Sequence, residues 1–253
     1  MNYKYKGLNI TYDIKGQGQP IILLHGWGTS KRTFYHLVEE IKNKYEVHTI
    51  DLIGFGQSEE PYKPLTLNDY VFFLNDYIIR NNINKPILLG HSFGGRIIIK
   101  YASIFNNVDK IILVDSAGIK KKINIKTKYK ICKYKFLKRW YKLTNNKVKY
   151  QKLIRNSGSS DYKNASIIMK KTLSLVINED LKKYIKKIKQ ETLIIWGKDD
   201  KVTPYKDALY MNKHIKNSGL VTIENTGHFP YLENKNYFHL IIRNYLKVDN
   251  DIY

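Results

Sequence analysis

Residues 87–102 read ILLGHSFGGRIIIKYA. A short apolar run, ILL, leads straight into GHSFGG (90–95), and a helical pattern, RIIIKYA, begins directly behind it. A serine nucleophile requires a tight strand-to-helix turn of this kind, because only there does its hydroxyl project clear of the sheet. The turn strains the serine backbone and leaves no room for side chains two residues to either side. Gly90 and Gly94 meet that demand around Ser92. The helix that follows aims its first N–H groups at the same point, which favours a developing negative charge.

Working outward, the chain alternates short apolar runs with helical patterns. The first 15 residues turn at Gly7 and read as a hairpin, and Pro20 opens the run IILL (21–24). VHTI (47–50), KIILVD (110–115), TLIIW (192–196) and LVTIE (220–224) are further strand candidates. Between them lie helices: one from Ser30, whose hydroxyl is placed to cap it, through Phe34, Leu37, Val38 and Ile41; one capped by Thr66 or Asn68; one after Pro204; and a last one from about 233. Unalternated apolar strands separated by helices indicate an α/β fold, a mostly parallel sheet covered on both faces. In such sheets reactive groups collect in the loops beyond the carboxyl ends of the strands. Five loops qualify here: 25–29, 51–58, 90–95, 197–204 and 225–230.

A serine hydroxyl is nearly inert without a base. Of the seven histidines, His36, His214 and His239 fall in helical patterns and His48 in a strand. His91 adjoins the serine and its side chain should point away. His25 ends the third strand in HGWG (25–28), and His228 lies in NTGHFP after the last strand, with Gly227 before it to free the backbone. His228 is the expected base. It needs a carboxylate to fix its tautomer. LIIWGKDDKVTP offers Asp199 and Asp200, of which Asp200 is preferred for its place at the far side of the turn; Asp115, after KIILVD, is the outside alternative. An oxyanion needs two fixed donors. The N–H of Trp27, in a loop with His25 and Gly26, and that of Phe93 are the candidates.

Together HGWG, DLIGFGQS (51–58), GHSFGG, WGKDDKVTP and NTGHFPYLEN resemble the α/β-hydrolase superfamily over residues 1–118 and 190–247. The resemblance implies an eight-stranded sheet, a triad of Ser92, Asp200 and His228, and an oxyanion hole of Trp27 and Phe93. Asp51, Gly54, Gly56 and Ser58 match a turn of structural character. A serine in place of an aspartate nucleophile speaks against haloalkane dehalogenases and epoxide hydrolases. The family commonly inserts a helical cap after the sixth strand, so residues 1–118 and 190–253 are expected to form the core and 119–189 the cap.

That insertion is also where the charge lies. Residues 120–190 hold 23 Lys and Arg against three acids, a net +20 of the chain's +22. The run KKKINIKTKYKICKYKFLKRWYK (120–142) has no acid and carries Tyr129, Tyr134, Phe136, Trp140 and Tyr141 among its lysines. Leu181, Tyr184, Ile185 and Ile188 form an i, i+3, i+4, i+7 stripe, and Cys132, Phe136 and Trp140 an i+4 row; both imply an apolar side turned inward. The aromatics of 120–142 are therefore expected in the ceiling of the acyl pocket. The lysines read first as a solvated face, then as a means of steering anions or touching an anionic membrane surface. No RNA- or DNA-binding motif accompanies them, so nucleic acid is not an expected partner.

The expected reaction is hydrolysis of a small carboxylic ester through an acyl-enzyme. Three alternatives stand behind it: C–C bond hydrolysis of meta-cleavage products, a menaquinone-pathway type of lyase suggested by Arg96 in SFGGR, and a ligand-binding receptor. Packing or surface exposure is the plainer role for Arg96. The segment after His228, HFPYLEN, differs from the aromatic-rich one of C–C hydrolases. No metal-ligand spacing and no nucleotide fingerprint occur, so neither metal nor cofactor is expected. The single Cys132, the lack of an apolar leader in MNYKYKGLNITYDIKG and the lack of a long apolar span lead to the expectation of a cytoplasmic protein.

Overall fold

A computed structural model of the chain describes residues 1–120, 125–155 and 165–248. The first four residues after Lys120 in the basic run thus lie outside the described residues, as do 156–164 and 249–253. The hairpin is present as β1 (Asn2–Tyr5) and β2 (Leu8–Lys15). Then come β3 (Gln19–Leu24), α1 (Tyr35–Ile41), β4 (Tyr45–Ile50), α2 (Leu67–Arg80), β5 (Ile87–His91), α3 (Phe93–Ala102) and β6 (Lys110–Val114). Four helices occupy the described part of the insertion: α4 (Ile125–Leu143), α5 (Lys147–Arg155), α6 (Ile167–Asn178) and α7 (Lys182–Ile185). The chain resumes as β7 (Glu191–Gly197), α8 (Tyr205–His214), β8 (Ser218–Ile223), α9 (Pro230–Glu233) and α10 (Lys235–Leu246).

Eight strands form one sheet in the order β1-β2-β4-β3-β5-β6-β7-β8. The β1–β2 and β2–β4 pairs are antiparallel, and every pairing from β4 through β8 is parallel. Period-2 geometry sends alternate side chains of the unalternated strands to opposite faces. Ile22, Leu24, Leu88 and Ile111 join a core with α2 and α3, while Ile21, Leu23, Leu89 and Ile112 join a second one with α1 and α10. This is the α/β fold expected, an eight-stranded, mostly parallel sheet with helices on both faces.

Local signals mostly hold. Thr66, one of the two caps offered, closes a capping box with Asp69 at the start of α2. Ser30 does not cap in this way. A 3₁₀ turn over Lys31–Phe34 precedes α1, and the Ser30 side chain makes no cap hydrogen bond. Phe34, Leu37, Val38 and Ile41 are nevertheless all buried, as their spacing requires.

The insertion divides. Leu181, Ile185 and Ile188 are buried in the α2–α3 core, with Tyr184 packed against it, so that stripe faces inward as expected. The Cys132, Phe136 and Trp140 row does the opposite. Cys132 is exposed, and Phe136 and Trp140 are 65% and 53% exposed. The half-buried residues of α4 are instead Tyr134, Leu137 and Tyr141, on its other side. Periodicity finds a genuine face here but assigns it to the wrong side, because α4 has two apolar stripes. Substitutions should separate the two halves. Leu181→Ala leaves a cavity in the main core and should cost about 2–5 kcal/mol in urea unfolding, whereas Phe136→Ala should stay within about 0.5 kcal/mol of the parent.

Candidate active site

The elbow at Ser92 is built as its sequence requires. Ser92 sits at φ 50° and ψ −105°, a conformation L-residues rarely adopt. A Cβ at Gly94 would lie 2.0 Å from the Leu24 carbonyl oxygen, and one at Gly90 would lie 2.5 Å from the backbone of Gly94 and Gly95. Only glycine lets α3 approach β5 and β3 this closely. Hydrogen bonds to the β6 end fix the turn: the Ser92 N–H donates to the Val114 carbonyl, and the Ala117 N–H donates to that of Ser92, each at 3.0 Å.

Three loops converge on the hydroxyl. His228 Nε2 lies 3.0 Å from Ser92 Oγ, and His228 Nδ1 lies 2.7 Å from Asp200 Oδ2. Asp200 is buried while Asp199 is exposed, which resolves the choice between the two adjacent acids. Asp200 Oδ1 accepts the N–H groups of Val202 (2.6 Å) and Thr203 (3.0 Å), and the Thr203 hydroxyl donates to Oδ2 at 2.6 Å. Burial works to raise the Asp200 pKa, but hydrogen bonds from His228 and Thr203 outweigh it and bring it down to about 2. Asp200 is thus a carboxylate at any ordinary pH.

Asp115, the outside alternative, lies in the same cluster. The polar atoms of Asp115, Asp200 and His228 all fall within 4.8 Å of one another. Asp115 is fully buried, accepts the Gly197 N–H at 3.0 Å through Oδ1, and leaves Oδ2 without a hydrogen-bond partner among the described residues. Burial, then the negative charge of Asp200, pushes its pKa up to about 10. Asp115 is accordingly a neutral carboxylic acid beside an ionised one, and His228 pairs with the ionised one.

Support for His228 comes from residues whose sequence context does not single them out. His91 bonds not to the serine but to the His228 loop: its Nε2–H donates to the His228 carbonyl at 2.7 Å, and its Nδ1 accepts the Tyr231 hydroxyl at 3.2 Å. Burial, then the neighbouring His228, lowers the His91 pKa to about 3, so this brace stays neutral. Glu233 accepts the Gly227 N–H (2.6 Å) and the Phe229 N–H (2.9 Å), clamping the loop on both sides of His228. Gly227 itself is not in a left-handed conformation. The clamp, not glycine freedom, fixes the loop that carries His228.

On the other side of the serine, His25 is wholly buried and lowered to about pKa 4 by its burial. Its Nδ1–H donates to the Gly26 carbonyl at 2.7 Å and its Nε2 accepts the Leu52 N–H at 3.0 Å, which shapes the loop carrying Trp27. Asp51 caps neighbouring turns by accepting the N–H groups of Lys31 (2.8 Å) and Gln57 (2.9 Å), and Ser58 donates to the Asp51 carbonyl at 2.6 Å. A Cβ on Gly56, at φ 58°, would strike the Asp51 carboxylate at 2.3 Å. The 51–58 motif is a scaffold for the site, as expected.

Ser92 and His228 open into a cavity of about 630 Å³, whose apolar walls include Trp27, Phe93, Leu173, Val176, Ile177 and Phe229. Three of these come from α6, and no described residue of α4 or α5 reaches the lining. The ceiling therefore belongs to α6 and not to the aromatics of the basic run. Arg96, one helical turn past Ser92, explains how α6 is held. It is buried, and its Nη1 donates to the Val176 and Glu179 carbonyls, both at 2.7 Å. Lys100, the next turn along α3, pairs with Glu179 at 2.5 Å. Arg96 both lines the cavity and ties its roof to α3.

Comparison with known proteins decides the family. The family model described as alpha/beta hydrolase fold matches residues 19–151 and 134–235. The chain belongs to the α/β-hydrolase family. Among its relatives is an AB hydrolase superfamily protein, YisY, of Bacillus subtilis, 28% identical over 87% of this chain and 88% of that protein. A pimeloyl-[acyl-carrier protein] methyl ester esterase of Legionella pneumophila is 25% identical over 95% of this chain and all of its own length. Solved structures share the fold. An esterase from Exiguobacterium antarcticum superposes with a TM-score of 0.76 at 24% identity, covering 95% of this chain and 96% of its own. A meta-cleavage product hydrolase from Pseudomonas fluorescens superposes at 0.73 with 21% identity, covering 95% of each chain.

Asp115 makes a prediction of definite sign. Above about pH 4 the unfolded chain holds this carboxyl ionised, while the folded protein keeps it protonated up to about pH 10. Folding therefore binds a proton in this window, and stability should fall as pH rises, by at most about 1.4 kcal/mol per pH unit from this group. Asp115→Asn keeps an acceptor for Gly197 but cannot ionise, and asparagine tolerates the φ of 40° found there. Guanidinium unfolding between pH 5.5 and 8.5 should show a flatter pH dependence in Asp115→Asn than in the parent. An unchanged slope would refute a protonated Asp115.

Proposed function

We propose that this α/β-hydrolase cleaves carboxylic esters of small molecules through a covalent acyl-enzyme on Ser92. The observation that carries the reading is the unbroken hydrogen-bonded line from Ser92 Oγ through His228 to Asp200, opening onto an apolar cavity. His228 Nε2 takes the Ser92 proton as Oγ attacks the ester carbonyl carbon. The negative charge that forms on the carbonyl oxygen is received by the N–H groups of Trp27 and Phe93. Among the described residues neither of these is paired to a backbone carbonyl, so both are available as donors. When the tetrahedral adduct collapses, the C–O bond to the alcohol breaks and His228 returns its proton to the leaving oxygen. Water, deprotonated in turn by His228, attacks the acyl carbon, and the acid leaves with Ser92 restored.

Asp200 stays ionised throughout. It holds the His228 Nδ1–H and stabilises the imidazolium that forms in each half-reaction. Residues 119–189 act as the cap in this proposal, with α6 as its substrate-facing part. The apolar walls suit an acyl chain, and the name of the Legionella relative, a methyl ester esterase, supports ester chemistry over C–C cleavage. We assign the work to the cytoplasm, the reducing compartment that a lone cysteine suits. Among the described residues no helix is long and apolar enough to cross a membrane.

The test is a panel of p-nitrophenyl and methyl esters of increasing acyl length, together with fluorophosphonate labelling. Turnover should be measurable on part of the panel, and Ser92→Ala or His228→Ala should lower kcat by about 10⁴- to 10⁶-fold. Asp200→Asn should lower it by about 10⁴-fold, with KM little changed. Absence of both turnover and labelling would exclude the reading.

A further inference from the structure

The exposed row on α4 is unexplained by the active site. Tyr129, Cys132, Phe136, Trp140 and Leu143 recur at spacings of three and four, so at 3.6 residues per turn they share an arc of roughly 80°. Tyr129, Phe136, Trp140 and Leu143 are 67%, 65%, 53% and 75% exposed. The Phe136 and Trp140 rings are stacked, with centroids 6.4 Å apart and planes 14° from parallel, so they present a single plate. The opposite face of the helix, with Tyr134, Leu137 and Tyr141, is the one that is half buried. No described residue of α4 lines the cavity, so these rings have no part in the pocket described above.

The charge around this stripe has one sign. Lys133 flanks it along one edge, and Lys135, Arg139 and Lys142 along the other, all exposed. Residues 125–155 contain ten Lys and two Arg and not one acid. On α5, Lys147, Lys149 and Lys152 are exposed beside Val148, itself 78% exposed. A helix with an aromatic and aliphatic stripe between lysine flanks has the composition of one that lies in a lipid–water interface. Its rings enter the headgroup region while the lysine stems reach back to the anionic groups. The dominance of Lys over Arg favours that occupant over an acidic protein or a nucleic acid. Specific recognition of carboxylates, phosphates or base edges favours the bidentate guanidinium, whereas a diffuse sheet of lipid charge needs only point charges.

We propose that the Tyr129–Leu143 face of α4 docks on an anionic lipid bilayer, with Phe136 and Trp140 as the inserting residues and Lys133, Lys135, Arg139 and Lys142 as the electrostatic frame. This is peripheral attachment along the membrane plane and is independent of the ester chemistry at Ser92.

The full chain is floated with vesicles of phosphatidylcholine alone or with 30 mol% phosphatidylglycerol, a composition of roughly one anionic headgroup in three. Binding should be strong on the anionic vesicles, weak on the neutral ones, and reduced by salt. The double variant Phe136→Ser with Trp140→Ser should lower the partition coefficient at least about tenfold. A separate Lys133→Glu with Lys135→Glu variant should do the same. Thermal melting and hydrolysis of a soluble ester serve as folding controls for each and should match the parent. Failure to float with anionic vesicles at ~100 mM salt would overturn the proposal, as would binding that survives the loss of both rings. Capture by an acidic protein or by nucleic acid without flotation would also overturn it, and would assign the face to that partner. Because flotation needs no turnover, its result stands whether or not the ester reading does.

Discussion

The structure depends on one strained residue. Ser92 is held at positive φ between a strand and a helix, a conformation that costs on the order of 1–3 kcal/mol and persists only where its surroundings impose it. Here the surroundings are the bare backbones of Gly90 and Gly94, the hydrogen bonds to the β6 end, and a helix buried along its whole length. The same residue is the N-cap of α3, so the helix begins directly behind the Ser92 hydroxyl. Had either glycine carried a side chain, α3 would be pushed from β3 and β5, and the sheet would lose its central helix contact together with the turn that holds Ser92.

Around that point the protein separates two electrostatic tasks that one kind of residue performs. Asp200, with four donors on its two oxygens, stays ionised and orients His228. Asp115, with one donor and complete burial, stays neutral a short distance away. Two like charges in one dry cluster would repel, so environment decides which keeps its proton. The histidines divide in a similar way. His25 and His91 are neutral struts that shape the loops on either side of the serine, and His228 stands between Ser92 Oγ and Asp200.

Much of this is legible in the sequence alone, and the reason is locality. The turn at Ser92, the histidine loop and the acid after β7 each reside in a few consecutive residues whose chemistry is self-contained. The preference for Asp200 over Asp199 rests on the turn, and burial agrees with it. Residues that act by approach from afar are not legible: Tyr231 and His91 meet across 140 positions of sequence, and Arg96 meets Val176 across 80. Nothing near His91 in the sequence announces a brace for His228. The α4 aromatics mislead for a different reason. A helix with two apolar stripes gives the same periodicity whichever one is buried, so Phe136 and Trp140 read as pocket and stand in solvent. Leu181, Ile185 and Ile188 have no competing stripe, and their periodicity points the right way.

The central claim is that Ser92 becomes covalently acylated. Intact-mass analysis of protein mixed with p-nitrophenyl acetate and quenched within the first turnovers measures this most directly, with peptide mapping to locate the adduct. A mass increase of one acetyl group is expected on the peptide containing Ser92. The adduct should be lost in Ser92→Ala and should form far more slowly in His228→Ala, because the same imidazole deprotonates Ser92 for acylation. No adduct during active turnover, or an adduct that persists in Ser92→Ala, would contradict it.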